Sequence, residues 1–173
     1  VPGSTINDVV LAICGGGLRR YLQHHDELPD SSLVAWVPIN ARQGAASDAD
    51  SPGNNISSMT APIFTDVEDS IERLRCIQEA TQQSKAAKAG GSARVMVDLS
   101  KHVPASTQVI ASRLVLRAGA AQRMCNLFIS NVPGPQVPLY MNGALQVGSF
   151  GMAPLANGMG LFIATPSYNG KIT

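Results

Sequence analysis

Charge, aromatic rings and cysteine are all scarce in this sequence. Of its 173 residues, 14% are charged and 5% are aromatic, and the formal net charge at pH 7 is +1. Because so small a net charge gives no bulk attraction to polyanions, the composition argues against a nucleic-acid partner. The three cysteines are odd in number and far apart, which predicts reduced thiols and neither a disulfide framework nor a metal site.

Long apolar runs and a secretory leader are also missing. No run approaches the ~18 residues of a membrane-spanning helix, and no signal-peptide pattern is present, so we expect a cytoplasmic protein that is soluble or only peripherally attached to a membrane or lipid inclusions. With 45% hydrophobic residues, the chain can form one domain with a buried core. Val1 at the start and an Asn169-Gly170 turn just before the end lead us to expect one domain, residues 1–173, truncated at both ends from a longer protein.

The stretch 126–135 holds the strongest local signal in the chain. A short apolar run at 127–129 predicts a buried strand, and Ser130 and Asn131 place two polar side chains at its end. Gly134, flanked by two prolines, ends the strand in a rigid turn and is predicted to take a positive φ. Two interpretations remain open: a site that presents groups to a ligand, and a purely structural turn.

A helix is predicted near the N-terminus, where Thr5 and Asp8 have the spacing of a capping box. Five residues are predicted to form its buried face, namely Ile6, Val10, Ile13, Gly17 and Tyr21, and five more are predicted to widen it: Val9, Leu11, Cys14, Leu18 and Leu22. Three glycines at 15–17 weaken a helix and therefore predict the close approach of another backbone or a ligand. Asn7 and Asp8 have two interpretations: helix capping with an anion at the positive end of the dipole, or a hydrogen-bonding pair that orders an active-site wall.

Strands are predicted on both sides of the middle of the chain. One runs over 33–40 and contains Pro38, which marks an edge or a bulge, and another begins near residue 54. Residues 139–149 predict a hairpin, and residues 161–168 predict the last full strand. Because helices alternate with strands early and hairpins crowd the end, we expect an α/β (α+β) fold with a mixed sheet and helices on one face.

Two further helices are predicted. Thr65 and Glu68 have capping-box spacing at the start of a helix that runs to about Ala89, with Arg73 on its solvated face. Four residues are predicted to line its inner face: Val67, Ile71, Leu74 and Gln78. The second helix covers about 106–124 and is the most basic part of the chain. A coenzyme A phosphate or a lipid headgroup could dock there, although an ordinary solvated face is the favoured explanation.

Three other residues could be functional but have ordinary explanations. His24 and His25 are adjacent at a helix end, where cationic side chains suit the helix dipole, and we expect them to be solvated. Arg42 follows a strand and could contact an anionic ligand, but a surface charge is the favoured interpretation.

Two of these motifs resemble those of a known family. Ser-Asn-Val-Pro-Gly-Pro at 130–135 resembles the late signature of the bacterial wax ester synthase/diacylglycerol acyltransferase family, and Thr-Ile-Asn-Asp-Val-Val-Leu-Ala at 5–12 resembles its Asn-Asp motif. The motifs occur in the family's order, and the resemblance covers nearly the whole chain as the C-terminal part of such an enzyme. His24-His25 does not match the family's catalytic histidine signature, because Asp30 and Ser31 depart from its spacing and composition.

The resemblance implies a fold and a reaction. It implies one half of a two-domain fold like that of chloramphenicol acetyltransferase, with the N-terminal domain of the same protein as partner. It also implies the transfer of a long acyl group from acyl-coenzyme A to a fatty alcohol or to diacylglycerol, with no additional cofactor and no metal. The catalytic histidine would lie in an N-terminal part that this sequence lacks, so we expect the segment alone to be inactive.

Carried over residue by residue, the resemblance gives Asn7 and Asp8 a supporting role beside the active site. It assigns the substrate wall to six residues: Ser130, Asn131, Val132, Pro133, Gly134 and Pro135. Two alternatives stay open, namely a non-catalytic lipid-binding or interaction module and an acyltransferase of the same fold with a different acceptor. A peripheral contact with a membrane or a lipid droplet is compatible with each of them.

Overall fold

The computed structural model describes residues 1–40, 56–89, 107, 125–155 and 160–173. Two helices and seven strands lie within this part of the chain: α1 (Ile6–His24), β1 (Val34–Asn40), β2 (Ile56–Pro62), α2 (Ser70–Ala89), β3 (Leu127–Val132), β4 (Tyr140–Met141), β5 (Ala144–Leu145), β6 (Phe162–Tyr168) and β7 (Lys171–Ile172). Arg42 and almost all of the predicted helix at 106–124 lie outside the described residues.

Five of the strands form one mixed sheet in the order β2-β1-β3-β6-β7. β1 is antiparallel to β2 and parallel to β3, β3 is parallel to β6, and β6 turns back into antiparallel β7. The antiparallel pairs join neighbours along the chain, whereas the parallel pairs join strands that are distant in sequence, as parallel pairing requires. The mixed sheet predicted from the sequence is confirmed.

Both helices cover the same face of this sheet. Leu11 of α1 and Ile77 of α2 meet Val37 of β1 and Ile129 of β3 in one cluster, and all four side chains are fully buried. The buried residues of β1, β2 and β3 are the odd-numbered ones, as the period of two along a strand demands. Each fully buried side chain of this size stabilises the fold by roughly 1.5–3 kcal/mol. The prediction of helices on one face is confirmed for the described residues.

α1 begins at the predicted capping box. The Asp8 carboxylate accepts a hydrogen bond from Thr5 N–H at 2.8 Å, and the Thr5 hydroxyl accepts one from Asp8 N–H at 3.3 Å. This exchange satisfies backbone donors that a helix start otherwise leaves without partners.

The buried face predicted for α1 is confirmed in part. Val10 and Leu11 are buried, and Cys14 and Leu18 pack against the core. Ile6, Ile13 and Tyr21 are instead 66%, 69% and 59% exposed. The observed face also includes an aspartate and a glycine, which a search for apolar periodicity does not select.

The close approach predicted for the glycines is confirmed at two of the three. A Cβ on Gly15 would lie 2.2 Å from the Ile63 carbonyl oxygen, and one on Gly16 would lie 2.8 Å from a guanidinium nitrogen of Arg73. A Cβ on Gly17 would meet nothing within 4 Å. The connection between β2 and α2 thus packs directly against the backbone of α1.

α2 begins at Ser70, after the predicted capping box. Asp69 caps it, because its Oδ1 accepts hydrogen bonds from two N–H groups of the first turn at 3.0 and 2.7 Å. Thr65 is instead fully buried, and its hydroxyl accepts a hydrogen bond from Leu33 N–H at 3.0 Å. The capping box predicted over Thr65–Glu68 is therefore wrong.

The inner face predicted for α2 is also wrong, since Ile71 is 54% exposed and Arg73 only 5%. The Arg73 guanidinium donates to the carbonyl oxygens of Phe64, Val67 and Glu68. Burial, followed by the nearby guanidinium groups of α1, lowers the pKa of Arg73, yet an arginine stays charged at neutral pH. Arg73 is thus a buried cation that organises the connection before α2.

Both predicted Asn-Gly turns are confirmed. Asn142-Gly143 joins β4 to β5 and Asn169-Gly170 joins β6 to β7, and all four residues have positive φ, which is the requirement of a type I′ hairpin. The Tyr168 hydroxyl holds the β4–β5 hairpin to the sheet, since it accepts from Leu139 N–H and donates to the Gln146 carbonyl oxygen, both at 2.9 Å.

Candidate functional site

β3 carries the polar motif at its end and occupies the centre of the sheet. It lies parallel to β1 on one side and to β6 on the other, so the carboxyl ends of three parallel strands reach the same edge. Ligands of open α/β sheets bind at this edge, where neighbouring strands leave in different directions. Leu127 and Ile129 are 2% and 0% exposed, which confirms the predicted buried strand.

β1 and β3 are paired over only part of their length. Within the described residues, the last pair that joins them is Trp36 with Phe128. Beyond this pair, β1 stays paired with β2 and β3 stays paired with β6. Val37 and Ile129 still belong to the same core cluster, and we call residues 37–40 of β1 and 129–132 of β3 the fork.

Pro38 explains where the pairing stops. Phe128 N–H donates to the Leu161 carbonyl oxygen, so Phe128 directs its N–H and carbonyl towards β6. Successive residues of a strand direct these groups to opposite sides, and the odd-numbered residues of β3 therefore direct theirs towards β1. The donor that would continue the ladder from the Ile129 carbonyl is the N–H of residue 38, and proline has none. The edge predicted at Pro38 is therefore present only on the side of β1 that faces β3. On its other side, β1 remains paired with β2 at this residue.

This break leaves the Ile129 carbonyl without the ladder donor that the N–H of residue 38 would supply. No residue from 124 to 170, and none from 34 to 40, is Asp, Glu, Lys, Arg or His. The strands of the fork therefore contribute no charged side chain to it.

Aromatic side chains close the inner end of the fork. Trp36, Phe128 and Phe162 lie in a row across β1, β3 and β6, with ring centroids 4.8 and 6.3 Å apart. Phe128 alternates with the core residues Leu127 and Ile129, so the row lies on the sheet face opposite the two helices. All three rings are half-buried. A ligand in the fork would meet an apolar floor at this row.

The side chains of Ser130 and Asn131 border the fork and are available to a ligand. Both residues are half-buried, and neither side chain makes a hydrogen bond within the described part of the chain. Because consecutive strand residues point to opposite faces, the two flank the sheet from both sides. A hydroxyl and a primary amide together offer donors and acceptors to a neutral polar group.

The Pro-Gly-Pro half of the same motif is bound to β6 and β7 instead. Gly134 N–H donates to Ser167 Oγ at 3.1 Å, and Asn169 N–H donates to the Pro135 carbonyl at 2.9 Å. Gly134 does not have a positive φ, so that prediction is wrong. A Cβ there would lie 2.1 Å from the Ser167 carbonyl oxygen, and this close approach is why the turn needs glycine.

Asn7 and Asp8 also differ in whether their side chains form hydrogen bonds within the fold. Asp8 is 2% exposed, and its carboxylate accepts hydrogen bonds at 2.8 Å from Thr5 N–H, the Thr5 hydroxyl and the Thr81 hydroxyl of α2. These bonds make Asp8 an anchor between the two helices. Asn7 is half-buried, and its side chain makes no hydrogen bond to the described residues, the stretch 130–135 included.

The other candidate side chains have ordinary surroundings. His24 and His25 are exposed at the end of α1, with ring centroids 5.2 Å apart. Burial raises the pKa of the thiols of Cys14, Cys76 and Cys125, so these thiols stay protonated near neutral pH. Within the described ranges, no group of His, Cys, Asp and Glu is placed to hold a metal ion.

A cleft of about 320 Å³ lies away from the fork, between the β4–β5 hairpin and the β6–β7 turn. Tyr140, Val147, Tyr168 and Lys171 border it. The Tyr168 hydroxyl is already bonded to the hairpin, so this cleft offers a ligand fewer unsatisfied groups than the fork does. Neither Asn7 nor Ser130 lines it.

Comparison with known proteins identifies the family. Residues 52–173 match the model of the WS/DGAT C-terminal domain. The chain belongs to this family. The resemblance drawn from the two motifs is thereby confirmed, and β3 with its polar end lies within the matched residues.

Several relatives match along nearly the whole chain. An O-acyltransferase named WSD from Acinetobacter baylyi is 36% identical over 170 residues, which are 97% of this chain and 35% of the relative. A Mycobacterium bovis protein that carries the name diacylglycerol O-acyltransferase is 38% identical over 172 residues, with 98% and 34% covered.

A solved structure gives the same result for the fold. The wax ester synthase/diacylglycerol acyltransferase from Marinobacter aquaeolei VT8 matches with a TM-score of 0.64 and 30% identity, over 98% of this chain and 36% of that one. The mixed α/β fold is thus shared. The chain spans about a third of the length of the relatives it matches.

Reasoning from the sequence found the strand and its polar end but missed the fork. Pro38 was the residue from which the fork could have been predicted, because its missing N–H ends the pairing on one side of an interior strand. Thr81, the partner of Asp8 in α2, had no signal, because a threonine within a helical pattern does not reveal what it contacts.

Proposed function

We propose that this WS/DGAT C-terminal domain lines the substrate passage of an acyl-coenzyme A-dependent O-acyltransferase whose acceptor is a long-chain alcohol or diacylglycerol. The observation that carries the proposal is the polar end of β3, where the side chains of Ser130 and Asn131 make no hydrogen bond to the described residues and lie beside the aromatic row. The names of the relatives support the reaction class. An apolar floor beside neutral polar groups suits a thioester that joins an acyl chain to an amide-bearing arm.

The reaction needs a base that this domain does not offer at the fork. The acceptor hydroxyl loses its proton to the base, its oxygen attacks the thioester carbonyl, and the carbon–sulfur bond breaks to release the thiol. Asp8 is already occupied by three donors, and no histidine lies between residues 124 and 170. We assign the base to another part of the longer protein, and to Ser130 and Asn131 the positioning of the substrate.

A second surface of the domain supports a partner. Tyr140, Met141, Val147, Phe150 and Met152 are 67%, 82%, 90%, 80% and 98% exposed, in a stretch without charged residues. Exposed apolar patches of this kind mark interaction surfaces. We infer that the N-terminal domain of the same protein covers it, with a membrane or lipid-droplet surface as the alternative. Within the described residues, no helix is long and apolar enough to cross a membrane.

The test is a steady-state assay of the full-length acyltransferase that carries this domain, with palmitoyl-coenzyme A and either hexadecanol or dioleoylglycerol. Ser130→Ala and Asn131→Ala should each lower kcat/KM by about tenfold, the effect of losing one good hydrogen bond. Neither should lower the thermal midpoint, since neither side chain makes a hydrogen bond to the described residues. Ser84→Ala is the matched control, because it removes a half-buried hydroxyl from α2, outside both β3 and the exposed apolar stretch.

Two results would contradict the proposal. Unchanged kinetics in both variants would make the fork a structural feature and favour a domain that only packs against its partner. Ester formation by residues 1–173 alone would show that the domain contains its own base.

A further inference from the structure

We propose that Gln136 is a positioning residue of the acyltransferase, because its side-chain amide fixes the Pro-Gly-Pro turn to the β6–β7 hairpin and thereby sets the orientation of Ser130 and Asn131. This inference rests on the proposed role of those two side chains in holding the substrate. It adds a residue outside the 130–135 motif on which their placement depends.

Gln136 joins three segments through one side chain. Its Nε2 donates to the Gly134 carbonyl oxygen at 2.9 Å and to Ser167 Oγ at 3.2 Å, and its Oε1 accepts from Gly170 N–H at 3.1 Å. Gly134 belongs to the Pro-Gly-Pro turn, Ser167 to β6, and Gly170 to the turn between β6 and β7. The amide is therefore a bridge between the end of the motif and the neighbouring hairpin.

The chemistry of this bridge explains why the residue is a glutamine. Gly170 N–H needs an acceptor and the Gly134 carbonyl needs a donor, and a primary amide presents one of each. A carboxylate of the same length would still accept from Gly170, but it would face the Gly134 carbonyl oxygen without a hydrogen to donate. An apolar side chain of the same length would make none of the three bonds.

The bridge reaches Ser130 and Asn131 through a short and stiff piece of backbone. Pro133 fixes its own φ and keeps the residue before it extended, so the position of Gly134 determines the path of the end of β3. Thr165 of β6 holds the other side of the pair, because its hydroxyl donates to the Ser130 carbonyl oxygen at 3.3 Å. The two open residues thus lie between two points of attachment to the same hairpin.

No hydrogen bond of their own fixes the side chains of Ser130 and Asn131 within the described part of the chain. Their direction therefore depends on the backbone that carries them. A small displacement of a group that positions a substrate can lower a rate by up to about 100-fold. Gln136 itself is exposed, and the loss of an exposed side chain changes stability little. We therefore expect Gln136 to affect turnover more than folding.

Gln136→Met gives the direct test, because it keeps the length of the side chain and removes all three bonds. In the full-length acyltransferase, kcat/KM with palmitoyl-coenzyme A and hexadecanol should fall about tenfold, with a thermal midpoint within a few degrees of wild type. Gln78→Met is the matched control and should leave kcat/KM unchanged. It removes an amide of α2 that donates to the Pro2 carbonyl oxygen at 3.0 Å.

A multiple-mutant comparison separates positioning from a general structural effect. In a protein that already carries Ser130→Ala and Asn131→Ala, Gln136→Met should lower kcat/KM by less than about twofold, because the groups that it positions are already absent. A full tenfold loss in that background would show that Gln136 acts independently of them and would overturn the inference.

The single variants distinguish this inference from the proposed function. If Ser130→Ala and Asn131→Ala lower kcat/KM and Gln136→Met does not, the substrate wall stands and the positioning role is wrong. Unchanged kinetics in Ser130→Ala and Asn131→Ala would contradict the proposed function itself, and the role of Gln136 with it.

Ser167→Ala covers the case in which Gln136→Met does not fold. Ser167 Oγ accepts from Gln136 Nε2 and from Gly134 N–H, so its loss should also lower kcat/KM. Hydrogen–deuterium exchange of the peptide that carries Gly134 should become several-fold faster in the same variant. If this exchange rises while kcat/KM is unchanged, the turn is only structural and the inference is wrong.

Discussion

Two motifs that lie far apart in the chain, Asn7-Asp8 and residues 130–135, are built in the same way. In each, one half is bound into the fold and the other half is left open. Asp8 is held by three hydrogen bonds within the α1–α2 pair, whereas Asn7 has none to the described residues. Gly134 is fixed against β6, whereas the side chains of Ser130 and Asn131 are unpartnered within the described chain.

The difference between the halves shows that a motif can serve the fold and the site at once. Bound residues fix the position of the open residues beside them, so the substitution of a bound residue should reduce stability first and activity second. The substitution of an open residue should reduce activity alone. The first two predictions below compare a bound residue with an open or unconstrained one, and the third tests the bond between two bound residues.

The largest effect is expected at Asp8. Asp8→Ala leaves Thr5 N–H without its acceptor and the Thr81 hydroxyl with only the Gln78 carbonyl. It also removes an anion from the positive end of α1, so the change should cost about 2–4 kcal/mol of unfolding free energy. Asn7→Ala should change it by less than ~0.5 kcal/mol. Chemical denaturation of both variants measures the comparison, and equal losses would show that the Asn-Asp motif is structural throughout.

A smaller loss is expected at Gly134. Gly134→Ala places a methyl group against the Ser167 carbonyl and should cost about 1–3 kcal/mol, because the turn or β6 must move. Gly17→Ala is the control, since a Cβ there meets nothing within 4 Å and should stabilise the helix by about 0.5–1 kcal/mol. If Gly134→Ala is as stable as wild type, β6 does not hold the turn as described.

The smallest effect of the series is expected at Thr81. Thr81→Val removes one of the three donors to Asp8 and keeps the shape of the side chain, so the loss should be about 1 kcal/mol. Combined with Asp8→Ala, it should add almost nothing, because both changes break the same bond. Full additivity in this double-mutant cycle would mean that the two side chains act independently.

The elements were predictable from the sequence because local signals agreed there. The Thr5–Asp8 box, both Asn-Gly turns and the apolar run before Ser130 each have a short-range mechanism that the structure reproduces. The family resemblance depended on the same local motifs.

What the sequence did not reveal depends on contacts between distant elements. Arg73 is buried because carbonyls of the preceding connection surround its guanidinium, which overrides the usual exposure of arginine. Several apolar residues of α1, among them Ile6 and Ile13, are exposed. Apolar periodicity alone therefore did not distinguish the buried face of the helix from the exposed one. To predict the fork, one would have to know that β1 lies between β2 and β3, and no local sequence pattern indicates this order.

The most direct test of the account is the thermal midpoint of the full-length protein with and without palmitoyl-coenzyme A, for wild type and Asn131→Ala. We predict equal midpoints without ligand, a ligand-induced rise in the wild type, and a clearly smaller rise in the variant, because a ligand stabilises the folded state by an amount that grows with its affinity. The same rise in both proteins would contradict the assignment of Asn131 to the donor. A lower midpoint of the variant without ligand would show that Asn131 belongs to the bound half of its motif.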